Sequence, residues 1–304
     1  MAMTCMAWSQ SGNQETIGEQ TWWLHENYFE SASPIDILFN FILYMTSIVG
    51  VAVFIVLGIF LVKYRHKPNR QAIYTHGNPR LEVIWTIIPT MLMVITAALS
   101  QSTWAELKNW PIPGADEPEP IQVRVFAQQF TWNIWYPGKD GEFGDFGPQW
   151  RNKDGGPDAQ IGINRSDPKG KDDIVSGAVM VVPVNRKVFI ELYSLDVLHS
   201  FYLPNFRVKQ DAVPGLSGQV WVEASKTSAE IVGTGVGPKY AGTGFDERLD
   251  LADPNSPKPF DIVCAELCGA SHFMMRGRFF VVTQDEYEKW LKKQEMFLGG
   301  GDDF

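Results

Sequence analysis

Two long apolar runs set the first constraint on this chain. Ile35 to Val62 is 28 residues long with Asp36, at its edge, as its one charged residue, and Val83 to Trp104 is a second, uncharged run. A bilayer core takes about 20 residues of helix, so each run is long enough to span it, the first with some tilt. Pro89 in the second run is expected to kink or break its regular hydrogen bonding. The loop between them carries Lys63, Arg65, Lys67, Arg70 and Arg80 and no acidic residue before Glu82, whereas residues 1–33 hold no Lys or Arg at all. That asymmetry predicts a cytoplasmic loop with both termini outside. The first residues show no basic stretch followed by an apolar run, so either a leader has been removed or the first span serves as the export signal. Trp22, Trp23, Tyr28 and Phe29 read as interfacial aromatic anchors.

Past Trp104 the character of the chain changes. Lys108 to Pro120 is an acidic linker in which Pro111, Pro113, Pro118 and Pro120 prevent a helix. Ile121 to Ala127 then alternates as a half-buried strand does, and Val179–Pro183, Lys187–Tyr193, Gly218–Glu223, Phe260–Cys264 and Gly277–Val282 read the same way. Short strands punctuated by Gly and Pro predict a Greek-key sandwich or barrel. Asp285 to Gln294 reads as a short helix and residues 299–304 as a loose tail. The expected division is an N-terminal segment over 1–33, a transmembrane hairpin over 34–104 and an all-β domain over 105–304. Two hydrophilic insertions, near 137–177 and 228–258, lack strand periodicity and are expected on the surface.

The chemistry concentrates in Cys264-Ala265-Glu266-Leu267-Cys268-Gly269-Ala270-Ser271-His272-Phe273-Met274-Met275. Two thiols four apart are followed by an imidazole four further on and a thioether three beyond that. His199, in Asp196-Val197-Leu198-His199, is a candidate second imidazole. Soft sulfur and imidazole donors select copper, and a second thiolate in one loop allows both sulfurs to bridge a pair of coppers. A zinc site or a Cys264–Cys268 disulfide are the alternatives. Structural zinc usually shows a second, similar knuckle, yet the chain has three Cys in all, with Cys5 far away. A disulfide would leave His199, His272 and Met275 no reason to converge. Donors on loops at one end of a β-sandwich describe a cupredoxin.

The thiol loop, Asp196-Val197-Leu198-His199 and Lys209-Gln210-Asp211-Ala212-Val213-Pro214-Gly215 resemble the binuclear copper (CuA) domain of cytochrome c oxidase subunit II, and Leu81-Glu82-Val83-Ile84-Trp85-Thr86-Ile87-Ile88-Pro89 resembles its second span. The resemblance implies a two-helix transmembrane hairpin joined to an all-β cupredoxin (Greek-key) domain. It implies Cys264 and Cys268 as bridging thiolates, His199 and His272 as terminal imidazoles, Met275 as the thioether and Glu266 as a backbone carbonyl ligand. Met274, next door, is weakly excluded by spacing. Glu266 and Asp211 match positions near a magnesium ion at the boundary with subunit I, and a carboxylate with retained waters commonly holds that ion. Asp196 and Asp211 equally suit turns. Glu82 matches a carboxylate at the entrance of a proton path, a role its flanking motif supports over the alternative of an interfacial Glu kept wet.

The same resemblance implies an electron-entry subunit of a haem–copper terminal oxidase in the bacterial plasma membrane, with the copper domain on the periplasmic side. Electrons would come from a cytochrome c-type donor and pass to haem in subunit I, where oxygen is reduced and protons are moved; subunit III would also be a partner. Phe130 and Trp132, in Gln129-Phe130-Thr131-Trp132-Asn133-Ile134-Trp135-Tyr136, match the family's electron-entry segment, but Phe130 stands where Trp is usual. Leu195 replaces a frequent acidic residue, and Arg207 adds positive charge. These departures favour a membrane-tethered cytochrome or another respiratory complex as donor. From Trp104 onward 21 Lys and Arg face 29 Asp and Glu, a balance of −8 that would steer a basic partner. The acidic chain makes nucleic acid an unsuitable partner. No Cys-x-x-Cys-His occurs, so no c-type haem is attached here, and five His in total exclude a nitrous-oxide reductase. A quinol oxidase subunit would lack these copper ligands, and a copper chaperone would favour an exposed, Met-rich site.

Overall fold

The computed structural model describes residues 24–71, 74, 76–111, 114, 117–152, 154–228, 230 and 259–299. Cys5, Trp22, Trp23, Pro113, nearly all of the insertion near 228–258 and the tail after Gly299 lie outside them. The chain divides into two compact units, Glu30–Ile112 and the remainder.

The helical unit contains α1 (Ser33–Lys63) and α2 (Pro79–Lys108), both long and apolar enough to cross a membrane and without a buried residue. Asn78 caps α2, its side chain accepting from the Arg80 and Leu81 amides, and Pro79 takes the first turn, where a missing N–H costs nothing. α2 does not end at Pro89 but runs through it, with the one bond that proline cannot donate left unmade. Inside both helices hydroxyls are satisfied locally, Thr46 donating to the Ile42 carbonyl and Thr90 to that of Thr86. Apolar surroundings demand such internal pairing.

The second unit is a two-sheet sandwich with ten strands among the described residues: β1 (Ile121–Gln128), β2 (Thr131–Tyr136), β3 (Ile174–Val175), β4 (Val179–Pro183), β5 (Lys187–Ser194), β6 (His199–Leu203), β7 (Val208–Ala212), β8 (Gly218–Glu223), β9 (Phe260–Cys264) and β10 (Arg276–Val282). One sheet is ordered β3-β2-β1-β5-β8 and the other β4-β10-β9-β6-β7. Val123, Val125, Ala127, Trp132 and Ile134 project inward from the first sheet and are fully buried. Trp132 meets Phe201 of the second sheet edge-on, with ring centroids 5.6 Å apart. The Tyr136 hydroxyl links the sheets by donating to the Val181 carbonyl and accepting from its N–H. A short helix, α3 (Pro157–Ile161), lies in the first insertion, and α4 (Gln284–Gly299) follows β10. Thr283 and Glu286 form a reciprocal capping box at the start of α4, and Tyr287 and Trp290 bury one face of it.

Two sequence expectations change here, and a third residue gains a partner. Tyr28 and Phe29 are not membrane anchors but are buried in the β unit: Tyr28 exchanges backbone bonds with Asn205 and Ser225, and Phe29 packs edge-on to Trp221. The Arg207 guanidinium, which keeps its expected charge, also binds the carbonyls of Pro204 and His25 and pins this segment. The insertion near 137–177 is not a loose surface loop. It covers the outer face of the first sheet, where Phe143, Phe146, Ile161, Ile163 and Val175 pack against Phe126, Trp135, Tyr193 and Leu195. Arg124 stands among these rings, its guanidinium carbon 4.1 Å from the Phe143 centroid and its Nε 2.9 Å from Glu191. Hydrophilic composition concealed this core because its few apolar residues are spaced by turns rather than by a strand period.

The insertion also buries Asp173. Its Oδ2 accepts the Gly144 N–H at 3.0 Å, and burial pushes its carboxyl up to about 6 despite the lowering effects of that N–H, the Trp135 indole and the Arg165 guanidinium. The folded state therefore binds this proton more tightly than the unfolded chain, so the stability it contributes is complete below about pH 4 and is lost as pH rises through about 6. Unfolding followed by tryptophan fluorescence should show a fall on the order of 2 kcal/mol between pH 4 and 7 that Asp173→Asn removes. Equal slopes in both proteins would acquit this carboxyl.

Candidate metal centre

The antiparallel pairing of β6 with β9 sets Phe201 opposite Cys264. It brings His199, at the start of one strand, beside the cysteine that ends the other. Ala265 donates to the Ser200 carbonyl at 3.0 Å, and the Cys264 N–H to the Met275 carbonyl at 3.3 Å, so the thiol loop leaves and rejoins the sheet at one point. A single helical turn over His272–Met274 returns the chain. Gly269 has a φ of +140°, and a Cβ there would lie 3.0 Å from the Phe130 ring. Only glycine fits both demands.

Within this frame the donors converge. The Cys264 and Cys268 sulfurs are 3.9 Å apart and both cysteines are free. His199 Nδ1 is 3.9 Å from the Cys264 sulfur, and His272 Nδ1 is 3.5 Å from that of Cys268. Met275 Sδ stands 3.8 Å from the Cys268 sulfur, and the Glu266 carbonyl 3.2 Å from that of Cys264. His199, Cys264 and Cys268 form the one group of at least three His, Cys, Asp or Glu side chains among the described residues whose donor atoms are close enough to hold a metal. His199, Cys268 and Met275 are buried, whereas Met274 is 64% exposed, so Met275 is the thioether that meets the thiols.

The donor set fits a soft, polynuclear metal better than zinc. Structural zinc takes four ligands in a tetrahedron and has no use for an added thioether and carbonyl. Burial, with the neighbouring Cys264 sulfur, pushes the Cys268 thiol up to about 11. A bound cation would offset that cost and favour the Cys268 thiolate.

A polar frame surrounds the donors. Asp196 Oδ1 lies 2.8 Å from His199 Nε2. Burial alone would raise this carboxyl, but bonds from His199, the Gln129 N–H and the Val197 N–H hold it below the usual carboxylate range. An Nε2–H given to Asp196 leaves the Nδ1 lone pair facing the sulfurs. Gln129 also donates its side-chain amide to the Cys268 carbonyl at 2.6 Å. The sequence reading took Asp196 for a turn residue and gave Gln129 no role; an Asp three residues before a candidate ligand His was the available signal.

The remaining candidates are distributed as follows. Trp132 is fully buried, its ring centroid 6.4 Å from that of His199, and Phe130 is half-buried against Gly269. Asp211 is exposed on β7 opposite Ser200, and the Glu266 side chain is exposed on the loop. Glu82 lies in the first turn of α2, in the helical unit.

Comparison with known proteins agrees with this architecture. Residues 22–102 match the transmembrane domain of cytochrome c oxidase subunit II, and residues 169–233 match that subunit's periplasmic domain. The alternative cytochrome c oxidase subunit 2 of Bradyrhizobium diazoefficiens is 32% identical over 268 residues, 87% of this chain and 82% of that protein. Cytochrome c oxidase subunit 2 of Cereibacter sphaeroides is 28% identical over 280 residues, covering 86% and 78%. A crystal structure of the periplasmic domain of subunit II from Bradyrhizobium japonicum covers 62% of this chain and 99% of its own, at 25% identity and a TM-score of 0.36. The periplasmic match stops short of the thiol loop, whose chemistry rests on the geometry above. With two membrane-spanning-type helices, a periplasmic β domain and relatives of this length, the chain belongs to the cytochrome c oxidase subunit II family, one chain of a haem–copper oxidase complex.

Proposed function

We propose that this chain is the electron-entry subunit of its oxidase, with His199, Cys264, Cys268, His272, Met275 and the Glu266 carbonyl holding a binuclear copper centre. The observation that carries this reading is the convergence of two thiols, two imidazoles and one buried thioether at one end of the sandwich. When bound, a copper pair supplies one-electron storage with its charge shared across both thiolates. The protein's part is to keep the donors still and dry. The loop is closed on itself by the Cys264–Met275 backbone bond, Asp196 fixes the His199 ring, and Cys268 and Met275 are screened from water. Donors that barely move between charge states leave little to rearrange when an electron passes.

The donor would be a cytochrome c-type protein, soluble or membrane-tethered, and the acceptor haem in subunit I. Phe130, which reaches the surface beside Gly269, suits the entry contact, with Trp132 behind it as packing next to His199. Glu82 would open the proton path, and Glu266 with Asp211 would hold magnesium where subunit I supplies the rest. Division into segments 1–33, 34–104 and 105–304, with both termini and the copper domain outside the bacterial plasma membrane, completes the reading.

Metal analysis and electron paramagnetic resonance of the purified full-length chain test it directly. Copper in pairs, with a near-infrared band and a resonance shared over both metals, is expected, and Cys264→Ser should abolish both signals. Zinc alone in the native protein would defeat the proposal. Phe130→Leu should slow electron uptake from a reduced cytochrome several-fold while leaving the copper spectrum intact; an unchanged rate would remove Phe130 from the entry route.

A further inference from the structure

The ligands come from two separate stretches of chain, and the strand ladder fixes only their near ends. Backbone bonds tie Cys264 and Ala265 to the sheet, but Cys268 lies beyond the ladder. What holds it belongs to the other sheet. Gln129, in the turn between β1 and β2, reaches across with its side-chain Nε2 to the Cys268 carbonyl at 2.6 Å. Its backbone N–H donates to Asp196 Oδ2 at 2.7 Å, and Asp196 Oδ1 meets His199 Nε2 at 2.8 Å. A continuous polar path therefore runs from the thiol loop through Gln129 and Asp196 to the buried imidazole. The loop also lies tight on this residue: a Cβ on Gly269 would sit 2.9 Å from Gln129 Nε2.

We infer that Gln129 is a positioning residue for the metal centre, setting the separation between the His199 arm and the Cys268 end of the thiol loop. It touches no metal and carries no charge. Its amide holds the backbone carbonyl of a ligand cysteine while its N–H orients the carboxylate that fixes the imidazole. Partners of this outer kind typically govern ten- to hundredfold in metal affinity. The inference rests on the copper reading above.

The test compares the native full-length protein with Gln129→Met, which keeps bulk but cannot donate, and Gln129→Lys, which restores a donor of similar reach. Copper release to a chelator should be about tenfold faster in Gln129→Met, with altered hyperfine splitting in its paramagnetic resonance. Gln129→Lys should return the release rate toward native, and the melting temperature of the metal-free protein should be the same in all three. Native release and an unchanged resonance in Gln129→Met would overturn the inference. So would a lowered metal-free melting temperature shared by both variants with the resonance unaltered, since that marks a packing role alone. Native protein that takes up no copper would instead defeat the copper reading itself, so the two failures are distinguishable.

Discussion

The register of β6 against β9 is the constraint on which the site depends. Phe201 pairs with Cys264, and Phe201 faces the core against Trp132. Side chains alternate strictly along a strand, so a slip of one residue would turn Phe201 out of the core and carry Cys264 away from His199. The burial of one large aromatic thereby fixes the geometry of a sulfur–imidazole pair. Packing, not the donors, decides where the donors meet.

A second consequence concerns the outer face of the first sheet. In a minimal sandwich that face would meet water, and Phe126 and Trp135 would be a liability. Here the insertion covers them with Phe143, Phe146, Ile161 and Ile163, and threads Arg124 among the rings. The covering also reaches the metal end: Leu195, one residue before Asp196, belongs to the same cluster, and Gln160 of α3 bonds to Gln128, next to Gln129. Replacing an acidic residue by Leu195 is therefore a packing change, with an apolar neighbour supplied by the insertion. The turn that carries Gln129 and the loop that carries Asp196 both lean on this additional layer.

Much of this was legible in the sequence, for physical reasons that differ by element. The two spans were readable because a bilayer imposes both length and polarity, and β1, β4, β5, β8, β9 and β10 because β-branched and aromatic residues recur in short runs. The strands missed are instructive. β2 is buried on both faces, so Trp132 to Tyr136 shows no alternation, β3 is two residues long, and β6 and β7, five residues each, were noticed only for the motifs they carry. The insertion's core escaped notice because its apolar residues have no period, and Tyr28 and Phe29 were misread because their partners, Asn205, Trp221 and Phe260, are remote in sequence. The spacing within the thiol loop made its sulfurs and His272 candidates, and the family resemblance added His199 and the choice of Met275. The polar frame of Asp196 and Gln129 did not show, since hydrogen bonds between loops leave no local pattern.

The buried position of Trp132 bears on how charge would enter. A fully buried ring makes no contact with a docking partner, whatever its distance from His199. Surface contact near the metal loops falls instead to Phe130 and to exposed apolar side chains such as Leu198, Leu267 and Phe273. Apolar contact is short-ranged and little affected by salt, while a domain balance of −8 acts at longer range and is screened within about 8 Å at physiological ionic strength. On the proposed electron-entry reading the two would divide the work of docking: charge would govern how often a basic donor arrives, and the apolar rim how closely it sits once there. Loss of the indole at position 130 removes a hydrogen-bond donor from that rim but keeps its hydrophobic area. The substitution therefore tunes the chemistry of the contact more than its existence.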